Sequence, residues 1–323
     1  MGIVIGIDVG GSTTKIVGIN GEQIQSPMFI TATDPVTSLF GAFGKYIYDN
    51  GIQLADVEQV MLTGVGSAFV NSPLYGLPTR KTDEFIANGL GARHATDIDQ
   101  LIVVSMGTGT SFVKIDGDKV QHIGGLGIGG GTLQGLSRLL LKTHDIHQVS
   151  ELAEKGDVTR VNLQIGDICN TALPDLPVSA TASLFGKADS NASQEDIACG
   201  IIYTVLQTIG GAAVLSALNS PIKDFVLIGN LTQLPQCREV FSKMEAIYHV
   251  HFHIPPYAEY RTVNRSGIGI RKRKARVVVT SCLPSSYSCL SRYMRERPPY
   301  RGQIPPSDRG WFFCPSALRR AYR

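Results

Sequence analysis

The sequence predicts a two-lobed α/β protein with a ligand cleft between the lobes. A β-hairpin with a polar glycine turn opens the chain, and the same plan of hairpin, glycine turn, helices and strands restarts near residue 100. The composition fits: 323 residues, 43% hydrophobic and 18% charged, with 35 Gly against 16 Pro, supply enough apolar material for a core and exclude disorder, collagen and coiled coil.

The elements follow in order. Gly2 to Asp8 alternates and is rich in Ile and Val, Gly10 to Thr14 is turn chemistry, and Lys15 to Ile19 resumes an apolar strand. A third strand is expected near Gln25 to Ala32. Asp34-Pro35 then opens a helix to about Asn50, because Asp caps, Pro suits the first turn, and Leu39, Phe40, Phe43 and Ile47 recur at helical spacing. Val57 to Thr63 reads as a fourth strand entering a Gly64-Val65-Gly66 turn, and Asp83 to Ala92 as a small-faced helix ending near Gly91. The second cycle has strands at Leu101–Val104 and Ser111–Ile115 around Met106 to Thr110, a glycine run from Gly124 to Gly131, and a helix from about Thr132 to Leu141. A long apolar helix over Asp196 to Leu218, a strand at Asp224 to Ile228 entering Gly229-Asn230, and a helix near Pro235 to Tyr248 complete the body.

Three glycine turns carry the chemistry: Gly6 to Lys15, Gly107 to Thr110, and Gly124 to Thr132. Glycine lets backbone N–H groups approach an anion, Ser and Thr add donors, and a helix N-terminus behind the third turn adds its dipole, so the set suits a polyphosphate. No GxxxxGK[ST] occurs, and Gly6-Ile7-Asp8 leads into a second strand and not a helix, which excludes a P-loop and a dinucleotide fingerprint. Asp8, at the end of the first strand, is placed to hold Mg²⁺ through water, and Lys15 to reach the β- and γ-phosphates.

Charge is unevenly distributed. Residues 261–323 hold 15 of the 30 Lys and Arg but only two of the 27 Asp and Glu, so residues 1–260 carry −10 and the remainder +13. No basic n-region precedes an apolar run at the N-terminus, and no segment has about 18 uninterrupted apolar residues; a soluble, cytoplasmic protein without a membrane partner is expected. Six cysteines without a CxxC read as free thiols.

GIDVGGSTTK, VVSMGTGTSFVK, the Asp83-Glu84-Phe85 segment, HIGGLGIGGGTLQGL and VLIGNL stand in an order and spacing that resembles the type II pantothenate kinases of bacteria, over about residues 3 to 262. The resemblance implies the two-lobed actin-like ATPase (ribonuclease H-like) fold, with duplicated hairpin-containing subdomains and the nucleotide cleft between them. An N-terminal lobe over 1–98 and a C-terminal lobe over 99–262 with the substrate and adenosine sites would follow. It implies ATP and Mg²⁺ as cofactors, pantothenate or a close derivative as substrate, 4'-phosphopantothenate as product in the first step of coenzyme A biosynthesis, and a homodimer whose contact involves the helix near 196–218. Glu84 matches the base that takes the hydroxyl proton; neighbouring Asp83 points about 100° away on a helix and cannot share that role. Gly10, Gly11, Ser12, Thr13, Thr14 and Lys15, then Thr108, Gly109 and Thr110, then Gly129, Gly130, Gly131, Thr132, Leu133 and Gln134 match the phosphate-binding turns. Gly229 and Asn230 match the adenosine end, and His122, Gly124 and Gly125 the substrate side. His122 departs from an arginine common in the family, which removes a fixed charge and a fork of donors, and Leu184 stands where relatives often have asparagine.

Two rival activities share the fold: an ATPase activator of a 2-hydroxyacyl-CoA dehydratase, whose opening motif is close to Gly6–Lys15, and a sugar kinase. Cys169, Cys199 and Cys237 lack a cluster-binding pattern, which weighs against the first. Residues 263–323 form an atypical basic tail. It reads either as a nucleic-acid or anionic-lipid arm or as out-of-frame sequence without selected structure. The second is preferred, because composition changes abruptly inside a family motif after Thr262, so no nucleic-acid partner is inferred from the tail.

Overall fold

The computed structural model describes residues 2–10, 13–20, 23–31, 34–169 and 176–264. The basic tail, apart from Val263 and Asn264, lies outside the described residues, as do the expectations attached to it.

Strands β1 (Ile3–Val9), β2 (Thr13–Asn20) and β3 (Gln23–Thr31) form an antiparallel meander. Helix α1 (Pro35–Asp49) follows; the Asp34 carboxylate accepts the Thr37 N–H at 2.6 Å, and Pro35 occupies the first turn, where its missing N–H costs nothing. Strands β4 (Val57–Thr63) and β5 (Thr79–Lys81) extend the sheet in parallel, in the order β3-β2-β1-β4-β5. One face buries Ile5, Ile7, Val9, Ile16, Val60 and Leu62 under Leu39, Phe43 and Tyr46 of α1. The Tyr46 hydroxyl plugs an irregularity between β2 and β3, accepting from the Gly18 N–H at 2.6 Å and donating to the Gln25 carbonyl at 2.7 Å.

The second sheet repeats the plan. Helix α2 (Glu84–Thr96) leads into β6 (Gln100–Met106), β7 (Thr110–Asp116) and β8 (Lys119–Leu126), an antiparallel meander like the first. Helices α3 (Gly130–Leu140) and α4 (Ile146–Ala153) come next, then a small excursion of β9 (Leu163–Gln164), α5 (Ile165–Ile168) and β10 (Thr181–Ser183). Helix α6 (Gln194–Ser216), β11 (Asp224–Ile228), α7 (Pro235–Tyr248), β12 (His251–His253) and α8 (Arg261–Asn264) complete the described chain. The sheet order β12-β11-β6-β7-β8 is the first sheet's order again, with two parallel strands added beside the first strand of a meander.

The edge strands β5, β8 and β12, and the short pair β9 and β10, are absent from the sequence reading, and the glycine run is divided differently. Gly124 and Gly125 lie inside β8, where they pair with Phe112 and Ser111, and the chain turns only after Leu126. Gly125 is needed because a Cβ there would press on the Thr110 carbonyl at 2.8 Å. Helix α3 begins at Gly130, two residues before the expected start, and α2 runs to Thr96, past Gly91, because its left-handed cap is Asp97.

Each sheet has a second face, and these faces hold the interlobe helices. Ala92 and Phe85 of α2 pack on Leu101, Val103, Val113, Val226 and Ile228 of the second sheet. Val263 of α8 is fully buried against Val17 and Ile19 of the first, beside Tyr260. The two helices touch: the Thr262 hydroxyl donates to Asn88 Oδ1, and Gly91 leaves room for the Arg261 backbone. The outer face of the second sheet carries α3, α4, α6 and α7 in one large apolar cluster. Helix α6 is long and apolar enough to cross a membrane by length and composition, but Ile201, Ile202, Val205, Leu206 and Ile209 are buried in that cluster, as in a core helix.

Candidate functional site

Alternation along β1 and β2 turns Asp8 and Lys15 to the face that α8 covers. Lys15 shares its side of β2 with Val17 and Ile19, and it pairs directly with Asp8 across the strands. Lys15 is only 7% exposed, and burial pushes its pKa down, opposed by Asp8, Glu259 and Glu84. Asp8 is raised by burial, opposed by Lys15. Register places Thr63 of β4 on the other side of Asp8, with its buried hydroxyl unpartnered among the described residues.

Glu84 enters this group from α2, the helix that packs on the second sheet. The N-cap of α2 is Asp83, whose carboxylate accepts from Phe85 N–H at 2.9 Å and Ile86 N–H at 3.1 Å. That leaves Glu84, first in the helix, as the carboxylate facing Asp8 and Lys15. Burial, with Asp8 and Asp83 adding to it and Lys15 opposing, pushes its pKa up to about 7. A carboxyl titrating there is poised to take a proton near neutral pH.

The glycine turns are interlocked. The Gly130 N–H donates to the Gly107 carbonyl at 2.8 Å, the Gly131 N–H to the Thr108 carbonyl at 2.9 Å, and the Thr110 hydroxyl to the Ile128 carbonyl at 2.8 Å. The Thr132 hydroxyl donates to the Gly127 carbonyl at 3.1 Å and accepts from the Gly129 N–H at 3.3 Å. These bonds set Gly109 and Gly129 back to back, with no space for a Cβ on Gly129. Leu133 faces the core and Gln134 faces solvent. In the first turn the Gly10 N–H donates to the Thr13 carbonyl at 2.9 Å, while Gly11 and Ser12 lie outside the described residues. The Thr14 hydroxyl turns to α1 and bonds Ser38 at 2.8 Å, so any phosphate contact from Thr14 is a backbone one.

Gly229 is buried at φ +99, where a side chain would strike the Met106 carbonyl, and its N–H donates to the Ala258 carbonyl at 3.1 Å. Asn230 follows, half-buried. His122 projects from the middle of β8 and stacks on Phe85, ring centroids 3.9 Å apart and planes 15° from parallel. Thus Asp8, Lys15 and Glu84 come together, the second and third turns come together, and His122 lies beside the residue that follows Glu84.

The sequence reading omitted Glu259, Thr63, Gly64 and Phe85 from the site. Gly64 had a signal, a glycine ending a strand at the level of Asp8. It sits at φ +83, against the Asp8 carboxylate and the Val9 carbonyl. Glu259 had none, since its approach to Lys15 depends on the chain returning from the second lobe to the first.

The Fumble family model matches residues 90–247. The chain is 30% identical over 243 residues to a type II pantothenate kinase of Bacillus anthracis, an alignment covering 70% of this chain and 82% of that one. It is 29% identical over 235 residues to a type II pantothenate kinase of Staphylococcus aureus, covering 70% and 84%. Among solved structures, the activator of the 2-hydroxyisocaproyl-CoA dehydratase from Clostridium difficile with bound ADPNP superposes with a TM-score of 0.59 at 15% identity, covering 81% of this chain and 91% of that one. A ROK family glucokinase from Streptomyces griseus in complex with glucose and AMPPNP gives 0.51 at 14%, covering 82% and 98%. The structural likenesses establish the actin-like fold, and at such identities they carry no activity.

Proposed function

The chain belongs to the type II pantothenate kinase family, and from that membership and the geometry above we infer that it transfers the γ-phosphoryl group of ATP to the hydroxyl of pantothenate. The product is 4'-phosphopantothenate, the first intermediate on the way to coenzyme A. The observation that carries the reading within this chain is Glu84, a carboxyl held near a pKa of about 7 between the lobes and facing the buried Asp8–Lys15 pair. The dehydratase-activator alternative is not favoured, because the relatives found by sequence are kinases by name.

Each residue then has a task. Glu84 accepts the proton of the attacking hydroxyl as the new O–P bond forms; the bond from the γ-phosphorus to its bridging oxygen breaks, and the electron pair leaves with ADP. Lys15, desolvated and fixed by strand pairing, neutralises phosphate charge where that charge is strongest. The interlocked turns at Gly107–Thr110 and Gly127–Thr132 form a preset wall for the nucleotide phosphates, and Asn230 lies at its adenosine end. The donor set also fits Mg²⁺: Asp8 is an oxygen ligand, and the neighbouring Thr63 hydroxyl has no partner among the described residues. A bound Mg²⁺ would supply charge neutralisation on the polyphosphate, held by Asp8 through water. The same reading includes a cytoplasmic homodimer; the exposed Leu215 at the C-terminal end of α6 is available to take part.

The test is ADP release coupled to substrate. Pantothenate should stimulate turnover, and Glu84→Gln should abolish it while nucleotide still binds by calorimetry. Turnover indifferent to pantothenate and pantetheine, or wild-type turnover in Glu84→Gln, refutes the assignment.

A further inference from the structure

The Glu84 carboxylate makes no hydrogen bond or ion pair among the described residues, so something other than a direct partner must aim it. Its backbone sits in the first turn of α2, and that helix is seated on the second sheet at two levels. At mid-helix, Gly89 fits closely against Ile115, Val120 and Val113, with a Cβ position 2.6 Å from the nearest methyl. At the N-terminal end the contact is Phe85, whose ring lies 3.9 Å from that of His122 at 15°. Adjacent helical side chains diverge by about 100°, so a Phe85 ring held against β8 sends Glu84 away from it, to the side where Asp8 and Lys15 stand.

We propose that His122 is a positioning residue for the transfer reaction: its ring, stacked flat on Phe85, clamps the first turn of α2 to β8 and sets the direction in which Glu84 meets the substrate hydroxyl. The proposal rests on the pantothenate kinase reading of the site. It differs from the sequence-derived role of His122 as a substrate contact, since one face of the imidazole is occupied by Phe85. A flat aromatic surface, and not the imidazole nitrogens, is the property that matters. Phenylalanine at 122 therefore does the same work.

The first measurement needs no activity. In the ligand-free full chain, amide hydrogen exchange follows the first turn of α2, where the Phe85 and Ile86 N–H groups donate to the Asp83 carboxylate and the Ala87 N–H to the Asp83 carbonyl. In His122→Ala the unclamped turn should exchange about threefold to tenfold faster. In His122→Phe it should exchange at the wild-type rate. Unchanged exchange in His122→Ala, or equal acceleration in His122→Phe, overturns the proposal.

The second measurement is kinetic. Loss of an aromatic stack of this kind should lower kcat by roughly threefold to tenfold in His122→Ala and in Phe85→Ala. The double variant should be no slower than the worse single one; additive losses would mean that His122 acts on substrate alone. Wild-type enzyme with no pantothenate-dependent turnover would refute the kinase assignment while leaving the exchange result to stand or fall by itself.

Discussion

Gly64→Ala tests how tightly the Asp8 carboxylate is built into the first lobe. Gly64 has φ +83 and ψ 161, a region essentially reserved for glycine, and forcing alanine into it costs about 1–3 kcal/mol. The added methyl would overlap Asp8 Oδ1 and lie 2.6 Å from the Val9 carbonyl oxygen, which is backbone of β1 and cannot rotate aside. Overpacking of that kind costs another ~1–3 kcal/mol. At about 2–4 °C per kcal/mol, a fall in Tm of about 10 °C is expected. Gly117→Ala is the control: its φ is also positive, +57, but no heavy atom lies within 4 Å of the new methyl, so only the backbone cost of about 1–2 kcal/mol remains. Thermal unfolding by near-ultraviolet circular dichroism compares the two, and calorimetry with ATP follows Asp8. Nucleotide affinity should drop in Gly64→Ala alone. If Gly64→Ala melts no lower than Gly117→Ala, the close approach of Gly64 to Asp8 and Val9 is not what holds this turn.

Two further outcomes are expected. A base acts deprotonated, so with Glu84 at about 7 the value of kcat/KM should rise about fivefold from pH 6 to 7 and less than twofold from pH 7 to 8; a flat profile between 6 and 7 would remove Glu84 from the role. Val263→Ala deletes two methyl groups that are fully buried on Val17 and Ile19 and should cost about 2 kcal/mol, read as a lower urea midpoint at unchanged slope; no change would mean that α8 does not cover the first sheet in solution.

Where local chemistry and burial agreed, the sequence was legible to the residue. Val57–Thr63, Asp224–Ile228 and Pro235–Tyr248 are the observed bounds of β4, β11 and α7, because each is an apolar run or helical stripe closed by glycine or opened by proline. The missed strands carry weak local signals. Thr79–Lys81 and His251–His253 have three residues each and owe their conformation to parallel pairing with β4 and β11. Lys119–Leu126 carries Gly124 and Gly125 near its end, which imitate a turn while pairing with β7. The five-strand symmetry of the two sheets was therefore hidden, although the repeat of their hairpins was plain. In the site, the motif residues were found through family likeness and through turn chemistry. The Phe85–His122 stack and the approach of Glu259 to Lys15 join residues far apart in the chain, and no local pattern encodes such contacts.

The burial of Val17 and Ile19 by Val263 also sets an order of events at the ribosome. The hairpin that carries Asp8 and Lys15 is made first, but the residues that cover its inner face are about 240 positions later, a delay of about 12–48 s at ordinary synthesis rates of ~5–20 residues per second. Throughout that interval the nascent first lobe leaves Val17 and Ile19 uncovered beside Lys15. Every molecule must pass through a stage open to capture by chaperones or by a neighbouring nascent chain, and the strands that carry Asp8 and Lys15 are covered only when synthesis reaches residues 258–264.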